Sequence, residues 1–133
     1  MTKPLTWAEL QRHRPGTPYA RKPAVTAAYN NAVARGNIED RIRVEHLGWV
    51  TEKGHAVRPP RGWRRTALVP NKYPYWTAKD IHHWILWSDR PLSAASVQAI
   101  LGWELGGRDV VWFVNKPELR SVTGLWHAHV FWR

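Results

Sequence analysis

At 133 residues and 15.5 kDa, with 44% hydrophobic residues and ten Trp, the chain reads as one domain spanning 1–133, long enough to bury a core and too apolar for disorder. Twenty Lys and Arg against ten Asp and Glu give a formal charge of +10, which points to an anionic partner: nucleotide, nucleic acid, phosphorylated sugar or acidic membrane surface. Cysteine is absent, which excludes a disulfide framework, a thiol nucleophile and a Cys-based zinc site; with no membrane-length apolar run and no signal-peptide core after Met1, a cytoplasmic or nuclear setting is expected, neither secreted nor membrane-bound.

Residues 1–50 read as helical. Thr6-Trp7-Ala8-Glu9 has the spacing of a capping box and predicts a short helix from Thr6. The first 35 residues are Arg-rich and nearly acid-free, superficially like a transit peptide, but this start favours a folded segment. Pro15, Gly16, Pro18 and Pro23 mark a loop, with Pro23 placed for the first turn of a second helix. In that helix Val25, Ala28, Tyr29, Ala32 and Val33 recur at helical spacing and predict one clear packing face, closed by Gly36. Asn37 is expected to cap a third helix carrying Ile38 and Ile42 one turn apart, up to Leu47-Gly48-Trp49.

Residues 51–80 read as a basic loop region. From Lys53 to Lys79 there are seven Lys or Arg and no acid, with Arg64-Arg65 near the centre. Such a segment repels itself unless solvated or placed against an anion. Thr66 to Val69 is a short strand candidate, followed by the turn-rich Asn71-Lys72-Tyr73-Pro74-Tyr75.

Residues 81–133 read as the sheet core. His82 to Trp87 has no polar residue after its histidines, the pattern of a central strand covered on both faces. Ser93 caps a helix to about Leu105, with Val97, Ile100, Leu101 and Trp103 or Leu105 available for packing. Val110 to Asn115, Lys116 to Val122 and Thr123 to Arg133 then read as strand, turn, strand. Along the last strand Trp126, Ala128, Val130 and Trp132 share one apolar face, expected to be the buried one. Leu125, His127, His129 and Phe131 share the other, expected to be partly solvated. His127 and His129 stand about 6.6 Å apart along the chain, suited to grip an anion, a metal or a reacting phosphorus. The class is α+β: an antiparallel sheet, N-terminal helices and one helix between the central strands.

These residues resemble a family along nearly the whole chain. Leu5-Thr6-Trp7-Ala8-Glu9-Leu10, Leu47-Gly48-Trp49, Asn71-Lys72-Tyr73-Pro74-Tyr75, His83-Trp84-Ile85-Leu86-Trp87, Val111-Trp112-Phe113-Val114-Asn115, Ser121-Val122 and His127-Ala128-His129-Val130 occur in that order in the fungal N-acetylglucosamine-induced protein family, known as a domain of unknown function. The resemblance implies that Leu5 to Leu10 belongs to the domain. A second resemblance is to the core of histidine triad (HIT) nucleotide hydrolases and transferases. It rests on a strand beginning with His, a helix, a strand ending in Asn, then Ser-Val and a His-x-His strand. It implies His127 as nucleophile toward phosphorus, His129 as the last triad histidine, and His83 as a fourth histidine that sets tautomers. By the same resemblance Asn115 and Ser121 hold the phosphate or leaving group, and homodimers are common. The sequence departs from that pattern at Leu125, which stands in place of the first triad histidine. It departs again at Arg120, in place of Gln, and at Lys116-Pro117-Glu118, in place of the glycines of the phosphate loop.

The expected function is binding of a phosphorylated nucleotide or nucleotide-sugar at a His-lined sheet face, with HIT-like phosphohydrolase or nucleotidyl transfer through His127 as the enzymatic form. Arg120 would stabilise phosphoryl charge, Tyr73, Tyr75, Trp84 or Trp126 would stack a base, and Asn71, Arg64 and Arg65 would contribute from the basic region. Whether the ligand is turned over is not readable from sequence. The alternative is a non-catalytic nucleic-acid (RNA) binder or ribonucleoprotein or virion assembly protein, carried by charge and aromatics. A lesser alternative is a metal protein using His83, His127 and His129, with Asp80 the only guess for a fourth ligand. No cofactor and no resident metal are expected.

Overall fold

The computed structural model describes residues 3–116 and 124–133. Among them the elements run α1 (Trp7–Gln11), α2 (Pro23–Ala34), α3 (Ile38–His46), β1 (Val50–Glu52), β2 (His55–Val57), β3 (Thr66–Pro70), β4 (His82–Ser88), α4 (Ala94–Leu105), β5 (Val110–Phe113) and β6 (Trp126–Trp132). The class is α+β. Strands β3-β4-β6-β5 form an antiparallel sheet in that order, so β4 is central, as its unbroken apolar run requires. β4 and α4 fall where the apolar pattern puts them. Ser93 caps α4 by accepting from the Ser96 N–H, and Thr6 and Glu9 bond each other's backbone N–H groups in the expected box.

Register sorts the side chains. Phe131 lies opposite His83, His129 opposite Ile85 and His127 opposite Trp87, so these six share one face, joined by Ala67 and Val69 of β3 and by Val111 and Phe113 of β5. The other face presents Leu86, Ala128 and Val130 to Val97, Leu101 and Leu105 of α4. Trp103, offered as a packing alternative, is 88% exposed.

The histidine face is buried too, which corrects the expectation of partial solvation. Two apolar clusters cover it. One joins Phe113 and Phe131 to Leu5, Trp7, Leu10, Tyr75 and Ile81; the other joins Ile85, Trp87 and Leu125 to Ile42 and Leu47. The N-terminal segment is tied in by backbone hydrogen bonds from Leu5 N–H to the Trp76 carbonyl and from Ala78 N–H to the Leu5 carbonyl. The histidines lie on the same sheet face as both clusters.

Three local readings are corrected. The 51–80 region carries a hairpin, β1 paired with β2, closed by Lys53 and Gly54 at φ 53° and 82°, the positive pair that a type I′ turn demands. Asn37 is itself left-handed (φ 53°) and makes no side-chain cap. In α2 only Ala32 is buried, so the helix has no broad packing face. No helix among the described residues is long and apolar enough to cross a membrane.

Candidate functional site

The site grows from a hydrogen-bonded column on the histidine face. Strand geometry places His83 and His129 diagonally across β4 and β6, and their rings meet with His83 Nε2 2.9 Å from His129 Nδ1. The turn after β3 closes the column's far end, where Tyr75 N–H donates to His83 Nδ1 at 3.0 Å. At its near end the Asn115 amide stands 3.0 Å from His129 Nε2 and 3.1 Å from the Tyr75 hydroxyl. Asn71 orders the turn by accepting the Tyr73 N–H at 2.9 Å. Its amide nitrogen sits 3.4 and 3.5 Å from the two His83 ring nitrogens, too evenly shared for a directed bond to either.

A backbone N–H can only donate, so the proton positions follow. His83 Nδ1 must carry a lone pair, its proton is on Nε2, and that proton goes to His129 Nδ1. His129 then carries its own proton on Nε2. The Asn115 atom nearest that nitrogen is Nδ2, and two donors cannot face each other, so the carboxamide is rotated by half a turn and Oδ1 accepts from both His129 and Tyr75. Burial, then the neighbouring charge of His129, holds His83 well below the ordinary imidazole value of 6.5. Burial, then the charge of His127, does the same for His129, and the Arg21 guanidinium adds to both. Both rings are neutral near pH 7. Burial raises the Tyr75 phenol.

His127 lies one pleat further along β6, 8% exposed, its ring edge-on to His129 at 5.5 Å and tilted against Trp87 at 4.9 Å. Its Nδ1 is 3.4 Å from the Leu125 carbonyl oxygen, a long contact that favours the proton on Nδ1 and puts the lone pair on Nε2. In front of His127 and His129 opens a cavity of about 260 Å³, walled by α2, α3, the loop before α2 and the turn after β3. Its lining includes Tyr19, Tyr29, Tyr73, Tyr75 and Trp87, the amides Asn71 and Asn115, and the cations Arg21, Arg35, Arg41 and Lys72. Among the described residues the acid there is Glu45, whose carboxylate is paired with Lys72. Arg21 donates from Nε to the Tyr73 carbonyl at 2.6 Å, and its guanidinium lies 4.2 and 5.0 Å from the ring centroids of Tyr29 and Tyr75.

Of the residues singled out in the sequence, Asn71, Tyr73, Tyr75, Asn115, His127 and His129 line the cavity, with His83 behind them. Arg64 and Arg65 do not. Arg65 pairs with Asp89 and covers Trp63, while Arg64 is exposed and docks its backbone N–H on the Leu47 carbonyl. Trp84 and Trp126 lie on the α4 face. Arg120 and Ser121 lie outside the described residues. His83 Nε2 and His129 Nδ1 are turned toward each other, and among the described residues no group of three or more His, Cys, Asp or Glu could hold a metal. Asp80 is at the surface beside Arg133.

Sequence reasoning missed Arg21, Arg35 and Arg41. Ile38, Arg41, Ile42 and Glu45 fall at i, i+3, i+4 and i+7, a stripe that carries a cation and an acid into the packing face of α3, and that was the available signal.

The sequence profile of a protein family of unknown function, DUF3605, matches residues 10–100, more than half of the chain. The chain belongs to the DUF3605 family. The match takes in Arg21, Arg35, Arg41, Asn71, Tyr75 and His83, and stops before β5 and β6. An uncharacterized protein of Saccharomyces cerevisiae, YPL067C, is 33% identical to this DUF3605 chain over a segment covering 48% of the chain and 41% of the relative. The chain therefore corresponds to about two fifths of that curated relative's length. Its fold is similar to the crystal structure of HTC1, with a TM-score of 0.59 at 23% identity, covering 96% of this chain and 84% of that one.

Proposed function

We propose that the cavity binds a phosphorylated nucleotide or nucleotide-sugar and that His127 acts on its phosphorus, as in a histidine triad hydrolase or transferase. The observation that carries this reading is His127 at the wall of a cation-rich cavity, backed by a buried, neutral His83–His129 pair. The resemblance of the ordered motifs to the histidine triad core, and to the N-acetylglucosamine-induced proteins, supports it.

On this reading the steps are these. The Nε2 lone pair of His127 attacks phosphorus while the bond to the leaving-group oxygen breaks, the electron pair departing with that oxygen, which takes a proton from water. Nδ1–H toward the Leu125 carbonyl disperses the positive charge left on the ring. Arg21, Arg35 and Arg41 offset the charge on the phosphoryl oxygens. Water then attacks phosphorus and releases a proton, which makes good the one drawn from water in the first step; the P–N bond breaks and its electron pair returns to His127 Nε2.

The test is turnover of nucleotides, dinucleoside polyphosphates, nucleotide phosphoramidates and nucleotide-sugars by wild type and His127→Ala, read by chromatography with mass detection. Product from wild type that is lost in the variant is expected; equal product from both removes His127 from the chemistry.

A second reading, a nucleic-acid surface, is favoured by Trp63, which lies under Arg58 at 4.6 Å and Arg65 at 5.1 Å beside the exposed Arg61 and Arg64, away from the cavity. Binding to random oligonucleotides that hardly weakens with salt would argue against it.

A further inference from the structure

We infer that the ligand carries a second phosphoryl group besides the one offered to His127, and that Arg41, with Arg21 and Arg35, holds it. The ligand class is then a diphosphate or longer phosphate chain, in preference to a monophosphate ester. This rests on the proposed reading for the cavity as the ligand site, and not on His127 being a nucleophile.

The charge of the lining comes first. Among the described residues four cations stand against the single acid Glu45, which Lys72 already neutralises, so with imidazoles neutral they give the wall a net +3. Three guanidiniums around one cavity repel, and a single phosphoryl group, with at most about two negative charges, leaves part of that repulsion unbalanced. A terminal diphosphate carries about three and closes the difference.

The anchoring of the cations comes second. Arg21 is held from the turn after β3, through the Tyr73 carbonyl. Arg41 is held from the end of α2: its Nη2 donates to the carbonyl of Ala32 at 2.6 Å, in the last turn of that helix, and to that of Gly36 at 2.9 Å, just past its end. Two guanidiniums tethered to different elements offer separate points of contact. Arg41 Nε is buried and has no hydrogen-bond partner among the described residues. A buried charged donor left unpaired is costly, and a small shift of the side chain that turned it to a phosphoryl oxygen in the cavity would relieve that cost.

The experiment is calorimetric titration of orthophosphate, pyrophosphate, AMP and ADP, at matched ionic strength, into wild type, Arg41→Gln, Arg35→Gln and His127→Ala. Wild type and His127→Ala should bind ADP and pyrophosphate on the order of tenfold or more tighter than AMP and orthophosphate. In Arg41→Gln and Arg35→Gln that preference should shrink to roughly threefold or less. Arg35 is exposed and closes α2 through its backbone N–H, a role that Arg35→Gln keeps, so its variant carries the test if Arg41→Gln, which also loses bonds to α2, fails to fold. Equal affinities for mono- and diphosphate ligands, a preference unchanged in both arginine variants, or no binding of any of the four, each overturns the inference. Equal affinities with His127-dependent turnover would leave the proposed function standing. A diphosphate preference without turnover on the wider panel would do the reverse.

Discussion

His83 and His129 share a hydrogen bond of 2.9 Å between Nε2 and Nδ1, made diagonally across the two central strands and buried under the N-terminal layer. Two imidazoles in this arrangement cannot both be charged, because each would present a proton to the other. The fold is thereby committed to neutral rings at positions that the unfolded chain protonates freely below pH 6.5.

Stability should therefore fall with acid. Both folded values lie well below the ordinary 6.5, chiefly through burial, so as pH drops under 6.5 the unfolded state takes up protons that the folded state refuses. The contribution is fully present above that value and is lost as pH falls, at up to about 1.4 kcal/mol per pH unit per histidine. Urea unfolding at pH 7 and pH 5 should differ by roughly 2–4 kcal/mol, with a smaller difference in the His83→Leu/His129→Leu double variant. Equal stabilities at the two pH values would contradict the neutral pair.

Breaking both sides of the pair should cost less than the sum of breaking each alone. His83→Leu strands the Tyr75 N–H and His129 Nδ1 in a dry site, for a loss of roughly 2–4 kcal/mol. Adding His129→Leu removes one of the stranded groups, so the double variant should lose less than the two singles added, with a coupling of about 1 kcal/mol or more in a denaturant cycle. Strict additivity would mean the contact contributes nothing.

What could be read from the chain was local. The Thr6–Glu9 box, the Ser93 cap and the apolar run of β4 depend on near neighbours, and they stand where their spacing puts them. The burial of the histidine face did not, because the covering residues Leu5, Leu10, Ile42 and Leu47 come from far earlier in the chain and their packing partner is invisible in one strand's alternation. Charge density misled for the same reason. Arg64 and Arg65 are adjacent in a basic run yet lie outside the cavity, whereas Arg21, Arg35 and Arg41 are scattered and meet only when α2 and α3 pack on the sheet. The β1–β2 hairpin was hidden by its own charge, and by a Lys at a positive φ that residues with side chains seldom adopt.

Gly48 should tolerate no side chain. It sits at φ +72°, and a Cβ there would stand 2.6 Å from the Gly62 carbonyl oxygen, where the basic loop docks on the turn after α3. Gly48→Ala combines that clash with left-handed strain, for an expected loss of about 2–4 kcal/mol. Gly54→Ala, at φ +82° with nothing within 4 Å of the added carbon, carries strain alone and should lose about 1–2 kcal/mol. Thermal melts of the two variants that coincide would mean the contact with Gly62 is not held in solution.

The proton positions in the column can be observed directly. Tyr75 N–H forces His83 into the Nε2–H form, and His83 in turn forces the same form on His129. Long-range nitrogen–proton correlation spectra at pH 7.5 should show both rings neutral with Nε2 protonated, and His127 with the proton on Nδ1, the opposite form. Asn115→Leu removes the acceptor for His129 Nε2–H and for the Tyr75 hydroxyl and should cost roughly 1–3 kcal/mol. Asn115→Asp keeps an acceptor and should leave both tautomers as they are. A His129 signal with the proton on Nδ1 would require His83 to accept at both nitrogens, which a neutral imidazole cannot do, and would overturn the column as described.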